Sequence, residues 1–268
     1  MSGSNNGTWR AVWTVVAMLC TATQAAAQAP PPTTDWTFDV GPGVLWTPRF
    51  EGSVDHRVLP IPALELRYRR DRFFVSARDG IGATLLDTHG FKAGPVLRYR
   101  FGRDESDSGY LRGLGTIPFT IEGGAFARYD FGRHATAKAE IRRGLGGHDG
   151  LSIDLSADAR LRLDERVFLS AGPRLAIADG TYNQAFYGVN ADQSARSGYA
   201  RYDPGFGLRS VGVGAAAVWR LTDKITATAF GSYGRLVDVA AASPIVAGPG
   251  GSRDQYTLGT ALSYRFGW

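Results

Sequence analysis

The stretch Gln255–Trp268, QYTLGTALSYRFGW, decides the fold. Tyr256, Leu258, Leu262, Tyr264, Phe266 and Trp268 share one parity, and Gly259, Ala261, Ser263, Arg265 and Gly267 take the other. A period of two is a strand, because successive side chains of an extended chain point to opposite faces. An apolar or aromatic residue at nearly every second position, ending on an aromatic, is the pattern of a strand with one face in lipid and the other toward a polar lumen. Leu262, Tyr264, Phe266 and Trp268 are therefore the candidate assembly signal, offered to the barrel-assembly machinery of an outer membrane.

The same pattern recurs upstream. Trp36–Trp46 carries Trp36, Phe38, Val40, Val44 and Trp46 on one parity, with aromatics at both ends to meet two membrane interfaces. Leu151–Leu163 sets seven apolar residues against Ser152, Asp154, Ser156, Asp158, Arg160 and Arg162. A soluble sandwich strand has no use for a face that long with four charges opposite it. Pro60–Arg70, Phe73–Ala77, Phe91–Phe101, Phe119–Tyr129, Ala135–Ile141, Val167–Ile177, Gly207–Trp219 and Ile225–Tyr233 read likewise as strands. Ile81–Leu86, short and broken by glycine, follows a two-residue hairpin signal at Asp79-Gly80.

The connections test this reading separately. Short charged turns fall at Arg69–Arg72, Asp130–His134, Leu163–Arg166 and Leu221–Lys224. Long loops fall at Thr47–Leu59, Gly102–Pro118, Ala178–Phe206 and Leu236–Asp254. Barrels of the outer membrane keep short turns inside and long loops outside. Counts from the two ends meet only if Ile81–Leu86 crosses, giving an all-β, transmembrane, antiparallel up-and-down barrel of about twelve strands; without it and a neighbour, ten remain. The expected domains are a signal peptide over 1–27, a short periplasmic leader over 28–35 and the barrel over 36–268.

The leader reading rests on Arg10 as the only charge before Asp35, on the apolar run Ala11–Thr23, and on Ala25-Ala26-Ala27 as a cleavage site. Cys20, the single cysteine, falls inside that leader, so the mature chain has no disulfide or thiolate chemistry. The net charge of +5 is small and spread along the chain, which argues against a nucleic-acid partner. After the leader no apolar run approaches the ~20 residues of a spanning helix.

Several ordered segments resemble the MipA/OmpV family of outer-membrane barrels: Phe50-Glu51-Gly52-Ser53 with Arg57 and Pro60-Ile61-Pro62; Gly94-Pro95 with Gly102-Arg103; and Glu122–Phe126. Ala171–Arg174, Tyr182 with Phe186–Val189, Gln193-Ser194-Ala195, Ser243–Val246 and Tyr264-Arg265-Phe266 continue the series. The resemblance spans essentially the whole mature chain and departs at Phe50, where a tyrosine is more usual. It implies a non-enzymatic outer-membrane barrel. For the family's named member it implies a scaffold that joins a murein hydrolase, a lytic transglycosylase, to a penicillin-binding protein.

Chemical motifs are sparse. Gly212–Ala217 formally fits a dinucleotide fingerprint, but it lies within an alternating strand and not at a strand–turn–helix junction. His56, His89, His134 and His148 have no metal-ligand spacing. His148-Asp149 with Ser152 is the one local coincidence suited to a serine hydrolase. No cofactor is expected. Parity instead points Arg98, Arg100, Glu122, Arg128, Glu140, Arg142, Asp154, Asp158, Arg160 and Arg162 into the lumen, with Glu65, Arg67, Lys92, Lys138 and Arg174. That interior is either a salt-bridged plug or a small-solute pore whose arginines favour anions. Phe186–Val189 and Ser243–Val246 predict ordered loops folded over the mouth.

Overall fold

The computed structural model describes residues 35–69 and 71–267. The expected leader, Cys20 and Trp268 lie outside the described residues.

Thirteen strand segments form one antiparallel sheet in sequence order: β1 (Trp36–Pro48), β2 (His56–Tyr68), β3 (Phe73–Ser76), β4 (Gly80–Ala83), β5 (Leu86–Thr88), β6 (Phe91–Arg100), β7 (Thr120–Phe131), β8 (Ala135–Leu145), β9 (Leu151–Arg162), β10 (Val167–Ala178), β11 (Gly207–Arg220), β12 (Ile225–Leu236) and β13 (Asp254–Gly267). β1 pairs with β13 through Val40↔Tyr264 and Trp46↔Leu258, and β4 pairs with β6, so the sheet closes on itself. β4 and β5 are one crossing interrupted at Thr84-Leu85, which makes a closed barrel of twelve strands. Closure joins the two ends of the sheet, as a β-structure in lipid requires, and leaves β2 and β6 unpaired only above the short β3–β4 hairpin.

The alternation places the apolar parity outside. Leu155, Leu161, Tyr256, Leu258 and Phe266 are all exposed, although each is large and hydrophobic. A hydrocarbon solvent explains that arrangement. Aromatic pairs mark its two edges. Trp36 against Tyr68 (4.5 Å) and Tyr264 against Phe266 (4.7 Å) lie at the end of the short turns. Trp46 on His56 (3.9 Å) and Tyr233 against Tyr256 (5.2 Å) lie at the end of the long loops. Most strands run ten to fourteen residues, enough for the ~9–11 needed to cross at a tilt.

Two expectations are corrected. Ser76 pairs with Gly80, so Ala77–Asp79 is a three-residue turn and Asp79-Gly80 is not a two-residue hairpin. The Ser76 hydroxyl accepts from the amides of Arg78 and Asp79, and Gly80 takes φ +80°, the left-handed position such a turn requires. The segment expected as one strand over Ile81–Leu86 is two pieces. The register with β6 slips by one residue between Gly82↔Val96 and Leu86↔Ala93, and Leu85 N–H donates to Ala93 O at 3.0 Å within the slip. Gly94 stands there because a Cβ would overlap Ala83 O.

Candidate functional site: the capped lumen

One side of the interior carries a continuous ion lattice. Glu122 and Glu140 sit on β7 and β8, and Cα pairing puts Arg98 opposite Glu122 and Glu140 opposite Asp154. Arg98 grips Glu140 with two hydrogen bonds of 2.8 Å. Glu122 accepts from Arg100 at 2.6 Å and Arg142 at 2.9 Å, and lies 3.1 Å from His148 Nε2. Arg142 also pairs closely with Glu140 and Asp154. Lys138 joins Glu140 (2.7 Å) to Asp79 (3.1 Å). Arg209 bonds Glu51 and reaches Asp154 at 3.5 Å. Glu122, Glu140 and Arg142 are buried, and charges removed from water persist only when paired this fully.

The other expected lumen charges form smaller groups nearer the short turns. Arg128 and Arg160 share Asp130 (3.2 and 2.9 Å), and Arg174 holds Asp158 at 2.6 Å. Arg162 differs. It is exposed at the end of β9, bonded to Asp164 O at 3.0 Å and lying over the Phe168 ring. Leu262, Tyr264 and Phe266 line the outer face of β13.

The long loops interlock over the opposite end. Helix α1 (Gly180–Tyr187) starts at Asp179, whose carboxylate accepts from Tyr182 N at 2.8 Å, and α2 (Ala191–Ser197) starts with an Asn190/Gln193 capping box. α1 puts Tyr182, Phe186 and Tyr187 into an apolar cluster with Ile117, Leu236, Ala240 and Val246. A second cluster joins Phe50, Leu111, Leu114, Val189 and Ile245 from further loops. Ser243 Oγ donates to Tyr187 O (2.7 Å), Gln193 to Leu114 O (2.5 Å), and Ser53 bridges Gly251. Such a cap needs its own core because loop backbones otherwise require water.

Cap and lattice meet at Glu51, which accepts from Tyr182 Oη at 3.2 Å. Burial works to raise the Glu51 carboxyl, but the guanidiniums of Arg209 and Arg100 outweigh it and hold the group below its ordinary value. Arg103 is the exception to pairing. It is 3 % exposed, donates to Phe186 O at 2.8 Å, and has no carboxylate at ion-pair distance among the described residues. Burial pulls its guanidinium down to about 10. A cavity of about 940 Å³ runs from beneath the cap down the lumen past the lattice as far as Arg128 and Arg160, and is bordered by Phe50, Glu51, Arg103, Phe186 and Arg209 at its outer end.

Sequence reading missed Arg209, Arg103 and Glu51 as interior charges. Arg209 shares the parity of outward Val211, but the register slips between Ala176↔Ser210 and Ile177↔Leu208, leaving Arg209 as an extra, inward residue. Glu51 and Arg103 lie in loops, where alternation says nothing. The His148/Ser152 coincidence is not assembled, since His148 Nε2 faces Glu122 and Ser152 Oγ is buried with no hydrogen-bond partner. Among the described residues, no cluster of His, Cys, Asp or Glu is arranged to hold a metal, and no helix is long and apolar enough to cross a membrane.

The sequence matches the family model of MipA, the MltA-interacting protein, over residues 40–266, nearly all of the barrel. The chain belongs to the MipA family. Solved structures similar to it are outer-membrane proteins. An outer-membrane channel from Pseudomonas putida F1 is 9 % identical with a TM-score of 0.47, covering 91 % of this chain and 100 % of its own. The NanC porin is 6 % identical at TM-score 0.43, covering 85 % and 98 %. The Pseudomonas putida toluene transporter TodX is 11 % identical at 0.38, covering 88 % and 90 %. No curated protein matches. The chain is thus a MipA-family β-barrel of the Gram-negative outer membrane.

Proposed function

We propose that this barrel is a non-enzymatic scaffold that holds murein enzymes at the outer membrane, presenting its short turns to them on the periplasmic side. The reading draws on the family, whose named member is an MltA-interacting protein. The observation that carries it is the pairing of the lumen beneath the cap. The cations Arg98, Arg100, Lys138, Arg142 and Arg209 meet Glu51, Asp79, Glu122, Glu140 and Asp154. Each of these five cations is neutralised by a carboxylate partner, which weakens it as a selector of anions, and the interlocked loops cover the solvent route above the belt.

Crosslinking in intact envelopes tests the scaffold. Photo-reactive residues at Glu165 or Asp223, in two of the short turns, should capture a lytic transglycosylase or a penicillin-binding protein. Capture of neither, alongside normal barrel assembly, would reject the proposal. The 940 Å³ cavity favours a second reading, a small-solute channel, and bilayer recording separates the two.

A further inference from the structure

The barrel wall is incomplete beside the β3–β4 hairpin. β3 and β4 have four residues each, whereas β2 has thirteen and β6 has ten. The hairpin pairs with β2 only over Glu65–Tyr68, and β4 with β6 only at Val96 and Leu97. Above it, residues 57–63 of β2 and Tyr99 of β6 have no strand neighbour on that side. Two strand positions are missing there, which at ordinary sheet spacing corresponds to a width of up to about 14 Å. Leu64 O accepts from Ala77 N at 3.0 Å, which puts the turn Ala77–Asp79 beside Leu64. Leu64 is level with Val40, between the Trp36 and Trp46 girdles. The gap therefore runs from mid-membrane to the outer interface. Its roof is the contact of Arg57 and Arg49 with Asp107, both 3.4 Å.

The exposed β2 edge is not built to take another strand. Because the Leu64 carbonyl faces the hairpin, the even-numbered residues of β2 turn their backbone groups to that side. The next two such positions are Pro60 and Pro62, which have no N–H to donate. Proline at an edge blocks strand addition from a second copy. Irregular backbone at membrane depth is otherwise tolerated only where it lines a water-filled cavity. The cavity does reach this edge: Leu59, Arg78, Tyr99 and Phe101 border it, although Tyr99 and Phe101 belong to the lipid-facing parity.

The charges at the gap have one sign to spare. Arg78 on the sill is 75 % exposed at mid-membrane depth, and its one ion-pair contact among the described residues is Asp79 at 3.6 Å. Asp79 is already held by Lys138 at 3.1 Å. Inside, two residues past Phe101, stands buried Arg103, whose Nε has no hydrogen-bond partner. A cation at that depth requires an anion or water beside it.

We infer that this gap is a lateral binding port for a single-chain anionic amphiphile from the surrounding lipid. Its carboxylate or phosphate head enters past Arg78 and is held by Arg103, while its chain leaves between Leu59 and the rings of Tyr99 and Phe101. Arg78 attracts the head at the sill, Arg103 supplies it with charge-assisted hydrogen bonds inside, and the apolar rim keeps the tail in hydrocarbon. The inference does not depend on the scaffold reading, since the port faces lipid and the docking turns face the periplasm.

The test uses the full barrel in nanodiscs of uncharged phosphatidylcholine, with 11-(dansylamino)undecanoic acid as the probe and empty nanodiscs as the partition blank. Expected is one saturable site, weakened at least about tenfold for the matching dansyl alcohol and for Arg78→Gln. Leu59→Trp, which narrows the gap, should weaken it similarly, and Val213→Trp, exposed on another part of the wall, should leave it unchanged. Arg103→Gln should abolish the site, provided heat-modifiable gel migration shows the variant folded. No saturable binding by the natural barrel, equal binding of acid and alcohol, or indifference to both Arg78→Gln and Leu59→Trp would each overturn the proposal. So would a crosslinked dimer joined through the β2 edge.

Discussion

Replacing Glu122 by glutamine isolates the ion lattice. The side chain keeps its shape, loses its charge, and leaves Arg100, Arg142 and His148 without the carboxylate they share at 2.6, 2.9 and 3.1 Å. Removing one partner of a buried pair costs roughly 3–5 kcal/mol, because the stranded charge loses solvent and partner together. Arg142 retains Glu140 and Asp154, and Arg100 retains Glu51 at 3.9 Å, so the low end of that range, about 3 kcal/mol, is expected. The control is Asp39→Asn. Asp39 holds Arg265 with hydrogen bonds of 2.8 and 2.7 Å, but Arg265 is 43 % exposed, and a pair with one partner open to solvent is worth about 1 kcal/mol. Reversible urea unfolding in lipid vesicles, followed by tryptophan fluorescence, measures both. A loss at Glu122 no larger than that at Asp39 would refute the claim that the lattice is a buried, mutually dependent unit.

Further outcomes follow from the same geometry. Acid should loosen the cap: Glu51 has a depressed carboxyl, so its contribution is complete above the ordinary carboxylate range and disappears as pH falls through the lower folded value. Amide protection factors in α1, which correct for the pH dependence of intrinsic exchange, should fall below about pH 4 and stay flat from pH 6 to 8, and the reverse order would contradict the assignment. Gly94→Ala drives a Cβ into Ala83 O at the seam that closes the barrel, so the heat-modifiable folded band should fall sharply. Gly150→Ala should instead disturb only the cap, where its Cβ would meet Tyr182 N, and should raise protease cutting between 180 and 200 with the folded band retained. Deleting Phe266–Trp268 should stop assembly, and a truncated chain reaching the outer membrane in normal amount would remove the assembly-signal reading.

Alternation made most of the wall legible in the sequence, since lipid on one side and ion pairs on the other force opposite chemistry onto successive residues. The long run of β9 is the plainest case. What alternation hides is strand height. Phe73 and Val75 alternate as well as any strand, yet the hairpin turns back after Ser76, because Ser76 can hold the turn amides and Gly80 can take a positive φ. Pro60 and Pro62 were a signal of the unpaired edge, since a fully paired interior strand has no place for them. The cap was legible only as ordered loops at Phe186–Val189 and Ser243–Val246; the capping pair Asn190/Gln193 and Ser243-Pro244 at a helix start were local signals that the strand reading passed over. The core of the cap was not legible, because which loops meet is set by barrel closure and not by local pattern.

Planar-bilayer recording of the purified barrel, alongside a variant with residues 180–199 replaced by a short glycine-serine linker, tests the central claim of a sealed outer mouth most directly. The natural protein should show no stable unitary conductance, and the variant should open discrete channels. Stable, anion-selective steps from the natural protein would contradict the account.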